Sequence, residues 1–341
     1  MSKVDIYELL RRDQDGTANY VADFLHSIGV SFSVDSYGNI YNVSHEGRPL
    51  LSAHMDTVRK ESDHVLSVFL TESEDDLIKT GGILGGDDKC GVYIILKILE
   101  CFDRDINFVF SRDEEIGSLG IAAFVKGEGI AEKISALPYG LVLDRRNNCD
   151  IICVNNNYGT KSFEDALVAV SNTVRSVKDE NGNIVEKTFG YKPTTGSLSD
   201  ANTISNYISC ANLSVGYHSP HSEKENISKK DLELAYDYVE AILTNVKLKF
   251  EKPVKTSYTG WGDYDYSNYY GHRYGGYGSY GNYGFSKSSK YYQGKKKSYR
   301  YYDYPYDDYY DDYDYVGKTW NGKSEEYCDF CDVNYDFDDD A

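Results

Sequence analysis

Nowhere does the 341-residue chain carry an apolar run that approaches the ~20 residues needed to cross a bilayer. The opening residues, MSKVDIYELLRRD, lack an apolar signal core, so the expectation is a cytoplasmic protein. Basic residues are scarce: 36 Lys and Arg stand against 55 Asp and Glu, for a net charge of −19. That balance argues against a general nucleic-acid binder, which needs a basic face to neutralise phosphates. It also disfavours docking on an anionic membrane. Cysteine is sparse and odd in number, seven in all, with five (Cys90, Cys101, Cys149, Cys153 and Cys210) in or beside strand- or helix-like sequence. They read as reduced thiols. Leucine and isoleucine are missing altogether after Trp261.

That last absence divides the chain. Residues 251–341 hold most of the 34 tyrosines, with Gly, Ser and Asp, a basic knot at 287–300 and an acidic end. Without leucine or isoleucine no packed core offsets the entropy of ordering, so this stretch is expected to be a disordered tail. Its tyrosines could serve as stickers for self-association or for a protein partner, or the tail could be inert and solvated. The CxxC of Cys328 and Cys331 supplies only two ligands where structural zinc needs four.

Residues 1–250 read as one catalytic-sized domain. Amphipathic helices open it, the second ended by Gly29. Short strands follow (VSFSVDS, NIYNVS, PLLSAHMD), with YGN as a hairpin signal between the first two. A long apolar helix, CGVYIILKILECF, precedes NFVFSRDEEIG, GLVLDRR, DIICV and KSFEDALVAVSN, and SKKDLELAYDYVEAILTNV closes the domain. Strands alternating with helices imply a three-layer α/β/α sandwich around a mixed, mostly parallel sheet. In such sheets chemistry sits beyond the carboxyl ends of the strands. His54 with Asp56, Glu114 with Glu115, Asp144, and His221 all fall at such ends.

These residues have metal-ligand chemistry. Imidazole and carboxylate together suit zinc, manganese or cobalt; calcium and magnesium leave the histidines without a role. In HMD, residues 54 and 56 would project to the same side of a strand, so one can ligate while the other orients it. In DEE one carboxylate can bind metal while its neighbour accepts a proton from water. Each piece alone has a plain explanation: HxD a core pair, DDK a helix cap, DEE a solvated helix start, Asp144 a turn residue. GGILGG lacks the GK[ST] of a phosphate loop. His26, Glu128 and Glu132 read as surface groups, and Arg145 and Arg146 as a turn closure.

The order HMDTV, GGDDKCG, DEEIG, LVLDRR, NLSVGYHSPHSEKE resembles the superfamily of peptidase T, carboxypeptidase G and the two-zinc leucyl aminopeptidases, over residues 15–245. DDKCG and DEEIG are most like peptidase T. The resemblance implies a zinc aminopeptidase-like fold and a metal-dependent exopeptidase that removes N-terminal residues from short peptides. It implies two divalent ions, zinc first, with Co2+ or Mn2+ possible. It assigns His54 and Asp144 to one metal, Asp87 to a bridge, Glu115 and His221 to the other, with His218 as the alternative last ligand. Glu114 would be the general base, Asp56 a support of His54, and Asp88 a helix cap. Asp200, in TGSLSDAN, would touch substrate.

One departure stands out. Only about 75 residues separate Asp144 from the last histidine, too few for the family's inserted lid as well as the scaffold. The layout therefore resembles lidless single-domain aminopeptidases. Competing readings are a deacylase or carboxypeptidase of the same superfamily, and a non-catalytic binding protein that uses its tyrosine-rich tail.

Overall fold

The computed structural model describes residues 3–58, 70–72, 76–178 and 182–255. Of the expected tail, 251–255 are described, with Lys252 and Lys255 donating to the carbonyls of Asn206 and Asn202; the remainder and its CxxC lie outside the described residues.

Helices α1 (Ile6–Leu10) and α2 (Gln14–Ser27) begin under side-chain caps from Asp5 and Asp13. They lead to β1 (Ser33–Val34), β2 (Ile40–Asn42) and β3 (Leu50–His54). The YGN turn forms: Asp35 Oδ1 accepts from the amides of Tyr37, Gly38 and Asn39, and Gly38 has φ +95°. β4 (Thr71–Glu72) and β5 (Leu77–Lys79) precede α3 (Gly86–Cys101). β6 (Asn107–Ser111), α4 (Leu119–Phe124), α5 (Ile130–Ala136), β7 (Gly140–Arg145), β8 (Asp150–Ile152) and α6 (Lys161–Ser171) follow. A hairpin of β9 (Arg175–Lys178) and β10 (Ile184–Lys187) comes next, then β11 (Lys192–Thr194), α7 (Ala201–Ile204) and β12 (Cys210–Ser214). β13 (Tyr217–His218), β14 (Asn226–Ser228) and α8 (Lys229–Asn245) complete the described chain.

The main sheet has the order β1-β2-β6-β3-β7-β12-β8-β11. β3 pairs parallel to both β6 and β7, β12 parallel to β7 and β11 parallel to β8, while β1 and β2 run against their neighbours and β8 against β12. Every residue of β3, β6 and β12 is buried, as a sheet covered on both faces requires. Alternation divides the two cores. Leu51, Ala53, Phe108, Phe110, Leu141 and Leu143 face α1, α2, α3 and α8. Leu50, Val109 and Val142 face α4, α5 and α7. The sandwich therefore has its expected three layers.

Two glycines set how closely the helices approach. A Cβ on Gly91 would lie 2.0 Å from the Leu143 carbonyl, so only glycine lets α3 press onto β7. A Cβ on Gly120 would lie 2.1 Å from the Arg112 carbonyl, so glycine likewise brings α4 against the end of β6.

A second sheet, β13-β14-β5-β4, joins strands from before and after β7 and carries the loop between His218 and Asn226. The β9–β10 hairpin is the element that the sequence reading passed over. Gly182, with φ +79°, stands at its turn, and the Asn-Gly pair at 181–182 was the available signal. Apart from this hairpin, a short 3-10 turn and β13 of the second sheet, the described elements between Asp144 and His221 belong to the central layers.

Candidate metal centre

The carboxyl ends of β6, β3 and β7 lie side by side, because the three strands are parallel neighbours. Each opens into a loop that carries acid groups. β3 ends at His54, and Asp56 stands in the loop behind it rather than on the strand. The alternation argument for HMD therefore does not apply. The pairing it anticipated still forms, through a bend: His54 Nδ1 lies 3.2 Å from Asp56 Oδ1.

Asp56 also organises the neighbouring loop. Its two carboxylate oxygens accept from the amides of Glu114 and Glu115, both at 3.0 Å. One carboxylate thus holds the imidazole and both acids of DEE in register. Burial raises the Asp56 carboxyl, but His54 and the two amides outweigh it and hold the group down at about 2. It stays ionised in any physiological state.

α3 begins with a bend. Asp87 (φ −80°, ψ 103°) and Asp88 (φ −119°, ψ 39°) are not helical, and the peptide between them is cis. Asp88 caps the helix that follows: its Oδ1 accepts from Gly91 N at 3.0 Å and its Oδ2 from His54 N at 3.2 Å. The bend frees Asp87 to point away from the helix. Asp87 Oδ1 lies 3.2 Å from His54 Nε2, and Asp87 Oδ2 lies 3.2 Å from His221 Nε2. The same His221 nitrogen is 2.9 Å from Glu115 Oε1.

Asp144, at the end of β7, places Oδ1 3.6 Å from His54 Nε2 and accepts from the Tyr217 hydroxyl at 3.2 Å. Its backbone is clamped by Asn212, which accepts from Asp144 N at 3.1 Å and donates to Asp144 O at 2.9 Å. Glu114 is a further acid near His54: donor atoms of His54, Glu114 and Asp144 converge within 4.8 Å, as do those of His54, Asp87 and Glu115.

The two histidines left open by the sequence part company. His221, at φ +60°, reaches into the cluster. His218 turns the other way and lies 2.8 Å from Asp231 Oδ2 on α8.

Asp200 also departs from expectation. It is 2% exposed, its Oδ2 accepts from the Ser111 hydroxyl, and its Oδ1 is buried without a hydrogen-bond partner. Burial raises its carboxyl to about 6 against the pull of Ser111. The carboxylate thus lies beneath the β6 loop, bonded to Ser111.

Sequence reasoning missed Glu225 as a structural group. Its carboxylate accepts from Gly85 N at 2.9 Å and Asp87 N at 3.1 Å, so it holds the bend at Asp87. The spacing from His221 to Glu225 was the only clue, and it pointed to a family pattern rather than to this bond. Asn212 and Tyr217, which anchor Asp144, gave no signal at all, since nothing local marks a strand residue as a partner across the sheet.

The electrostatics test whether cations fit here. His54, Asp56, Asp87, Asp88 and Asp200 are all buried. Burial, with the Asp144 charge nearby, lifts Glu114 to about 9. Burial also lifts Asp144 to about 7, although His54 opposes it. His221 is held up at about 10 by Asp87 and Glu115. Buried acids crowded in this way repel one another and demand positive charge. Two imidazoles supply too little, whereas a divalent cation against each group of donors would balance it. Nitrogen and carboxylate oxygen donors suit zinc and its neighbours.

Comparison with known proteins agrees with this geometry. The model of Peptidase family M20/M25/M40 matches residues 50–245. No curated protein matches the chain. Among solved structures, aminopeptidase PepT from Bacillus cereus is similar at 16% identity and a TM-score of 0.50, over 70% of this chain and 96% of that one. A tripeptidase from Staphylococcus aureus is similar at 15% identity and a TM-score of 0.52, over 71% and 96%. An aminopeptidase from the archaeon Desulfurococcus kamchatkensis is similar at 16% and 0.52, over 70% and 93%. At such identities the likeness to these structures is one of fold.

Proposed function

The chain belongs to peptidase family M20/M25/M40, and from that premise we propose that it is a two-metal aminopeptidase acting on short peptides. The observation that carries the two-metal reading is Asp87, whose two oxygens turn to two different histidines, His54 and His221, at 3.2 Å each. A carboxylate so placed suits a bridge. On this reading His54 and Asp144 hold one cation and Glu115 and His221 the other. Zinc is the first choice and cobalt or manganese the alternatives. Bound there, the cations supply Lewis acidity toward a peptide carbonyl and a nucleophilic water.

Glu114 is the base. It is half-buried, it accepts from Ser118 Oγ at 3.4 Å, and its carboxyl lies among the donor atoms that converge on His54. Without cations its proton is held tightly; positive charge alongside brings its affinity down toward the working range. Glu114 takes a proton from the attacking water and passes it to the nitrogen of the departing amine. Asp56 does not touch the reacting atoms. It fixes the rotation of the His54 ring and the amides of Glu114 and Glu115 at once. Asp88, Glu225, Asn212 and Asp200 hold the bend, the strand end and the loop.

The aminopeptidase choice over a deacylase or carboxypeptidase rests on the layout. Among the described residues, the segment between Asp144 and His221 is taken up by the central layers, one small hairpin and β13 of the second sheet, as suits a single-domain enzyme. Metal analysis of the purified full-length chain should return about two divalent ions per chain. A panel of free-amine and N-blocked peptides should show chelator-sensitive cleavage of the free-amine set. Cleavage of blocked peptides only would overturn the aminopeptidase assignment and favour the deacylase.

A further inference from the structure

Exposed aliphatic side chains are common and usually mean nothing when scattered. Three on this protein lie on the segments that also carry groups of the candidate centre. Ile116 is 56% exposed, Leu119 45% and Leu198 61%. All three lie on two segments that frame the candidate centre. Ile116 directly follows Glu115, and Leu119 follows Ser118, whose hydroxyl bonds Glu114. Leu198 stands two residues before Asp200.

The two segments meet. Asp200 accepts from Ser111, at the root of the DEE loop, and α4 packs against α7. Both segments are pinned on either side of their apolar residues. Leu119 N donates to Asp113 O at 3.0 Å and Ser118 N to Glu114 O at 2.8 Å. Ser197 O accepts from the Tyr158 hydroxyl at 3.3 Å, and Ser199 Oγ accepts from Asn212 at 3.0 Å. Asn212 is the residue that clamps Asp144. Leu198 is thus held in place by anchored neighbours, yet its own side chain is left in water. A built loop that exposes aliphatic groups beside a polar centre marks a binding surface.

Charge narrows the occupant. The segments DEEIGSL (113–119) and TGSLSD (195–200) contain no Lys, Arg or His, and their charged groups are all acids. An acidic side chain entering between them would meet like charge and no partner. An aliphatic or aromatic one would cover the three exposed groups.

We propose that Ile116, Leu119 and Leu198 form an apolar rim that receives the side chain of the substrate residue next to the scissile bond, so that the enzyme selects peptides with an aliphatic or aromatic residue there. This rests on the peptidase reading above and adds the substrate class to it.

The test uses the full-length, zinc-loaded protein and tripeptides X-Gly-Gly, with X as Leu, Phe, Ala, Asp or Lys. kcat/KM for Leu and Phe should exceed that for Ala by about tenfold or more, the scale on which a hydrophobic pocket discriminates. Asp should be the poorest substrate. Leu198→Ser and Ile116→Ser should each lower the Leu-to-Ala ratio severalfold, and Leu198→Met should restore it. Binding of the product supplies a readout apart from turnover: free leucine should raise the thermal midpoint more than free aspartate, and the difference should shrink in Leu198→Ser. Equal cleavage across the panel, a preference for Asp or Lys, or unchanged ratios in both serine variants would overturn the rim while leaving the peptidase intact. Failure to cleave any peptide, with zinc bound, would sink the peptidase reading and the rim with it.

Discussion

The same three strands carry two opposite chemistries a few residues apart. In their bodies, Leu51, Phe108, Phe110, Leu141 and Leu143 are buried against other apolar side chains. At their carboxyl ends, His54, Glu114 and Asp144 lie among further acids that burial and mutual repulsion perturb. The first region stabilises the fold by excluding water. The second weakens the metal-free fold and is suited to holding charge. Burial is therefore not one thing in this molecule: β3, β6 and β7 act as a stable base from which a costly polar cluster is projected.

The comparison can be broken at several points, and the largest effect should come from the base. Glu114→Gln should lower kcat by about 10^2–10^4-fold, the range for a lost general base, while two ions remain bound and the thermal midpoint of the metal-loaded protein hardly moves. Steady-state kinetics with metal analysis would check both halves. If metal is lost as well, Glu114 is a ligand and the division of labour within DEE is reversed.

Phe108→Ala addresses the other region. Phe108 is fully buried, with its ring 5.5 Å from that of Phe110. Truncation should cost about 3–5 kcal/mol in urea denaturation, yet leave metal stoichiometry unchanged in the fraction that folds. A variant that keeps its stability would mean that this part of the core is not the base it is taken to be.

Glu225→Gln is a finer cut, since it keeps the shape and removes the charge that accepts from Gly85 N and Asp87 N. Metal affinity should fall by about 10–100-fold, as for other groups that orient a ligand without touching metal. Competition with a chelator would measure it.

The smallest and most diagnostic effect is on pH. In the metal-free protein Glu114 and Asp144 have folded values of about 9 and about 7, above their ordinary carboxylate values. His221 is likewise raised, to about 10. For each of these groups the folded state binds more protons than the unfolded one, so stability falls as pH rises. The lowered Asp56 acts in the opposite sense, but only below its ordinary value and down to about 2. Between pH 5 and pH 9 the metal-free chain should therefore lose stability steadily, and zinc should flatten the slope. Urea midpoints with chelator or zinc at several pH values would check it. Asp144→Asn should reduce the slope without zinc and abolish the response to zinc.

Much of this fold could be read from the residues. Runs such as FVF (108–110) and LVL (141–143), apolar at every position, mark strands covered on both faces, and helical runs between them leave few architectures open. The β9–β10 hairpin was passed over because its strands, half exposed and rich in charge, lack an apolar pattern. At the centre, the sequence could name His54, Asp87, Glu115 and Asp144 because imidazole and carboxylate at strand ends are chemically conspicuous. It could not choose between His218 and His221. The two are three residues apart on one loop, and only the backbone, at φ +53° for Ser219 and +60° for His221, sends one to Asp87 and the other to Asp231.

The residues alone therefore determined the layers, the acidic character and the list of groups able to hold a cation, because patterning and side-chain chemistry are local properties. The tertiary structure decided which of those groups meet, that Asp87 faces two histidines, that Asp200 is sealed beneath the loop, and that Glu225 and Asn212 hold the ends in place. Those are questions of distance between residues far apart in the chain. Parallel pairing of β6, β3 and β7, together with the close seating of α3 at Gly91, answers them.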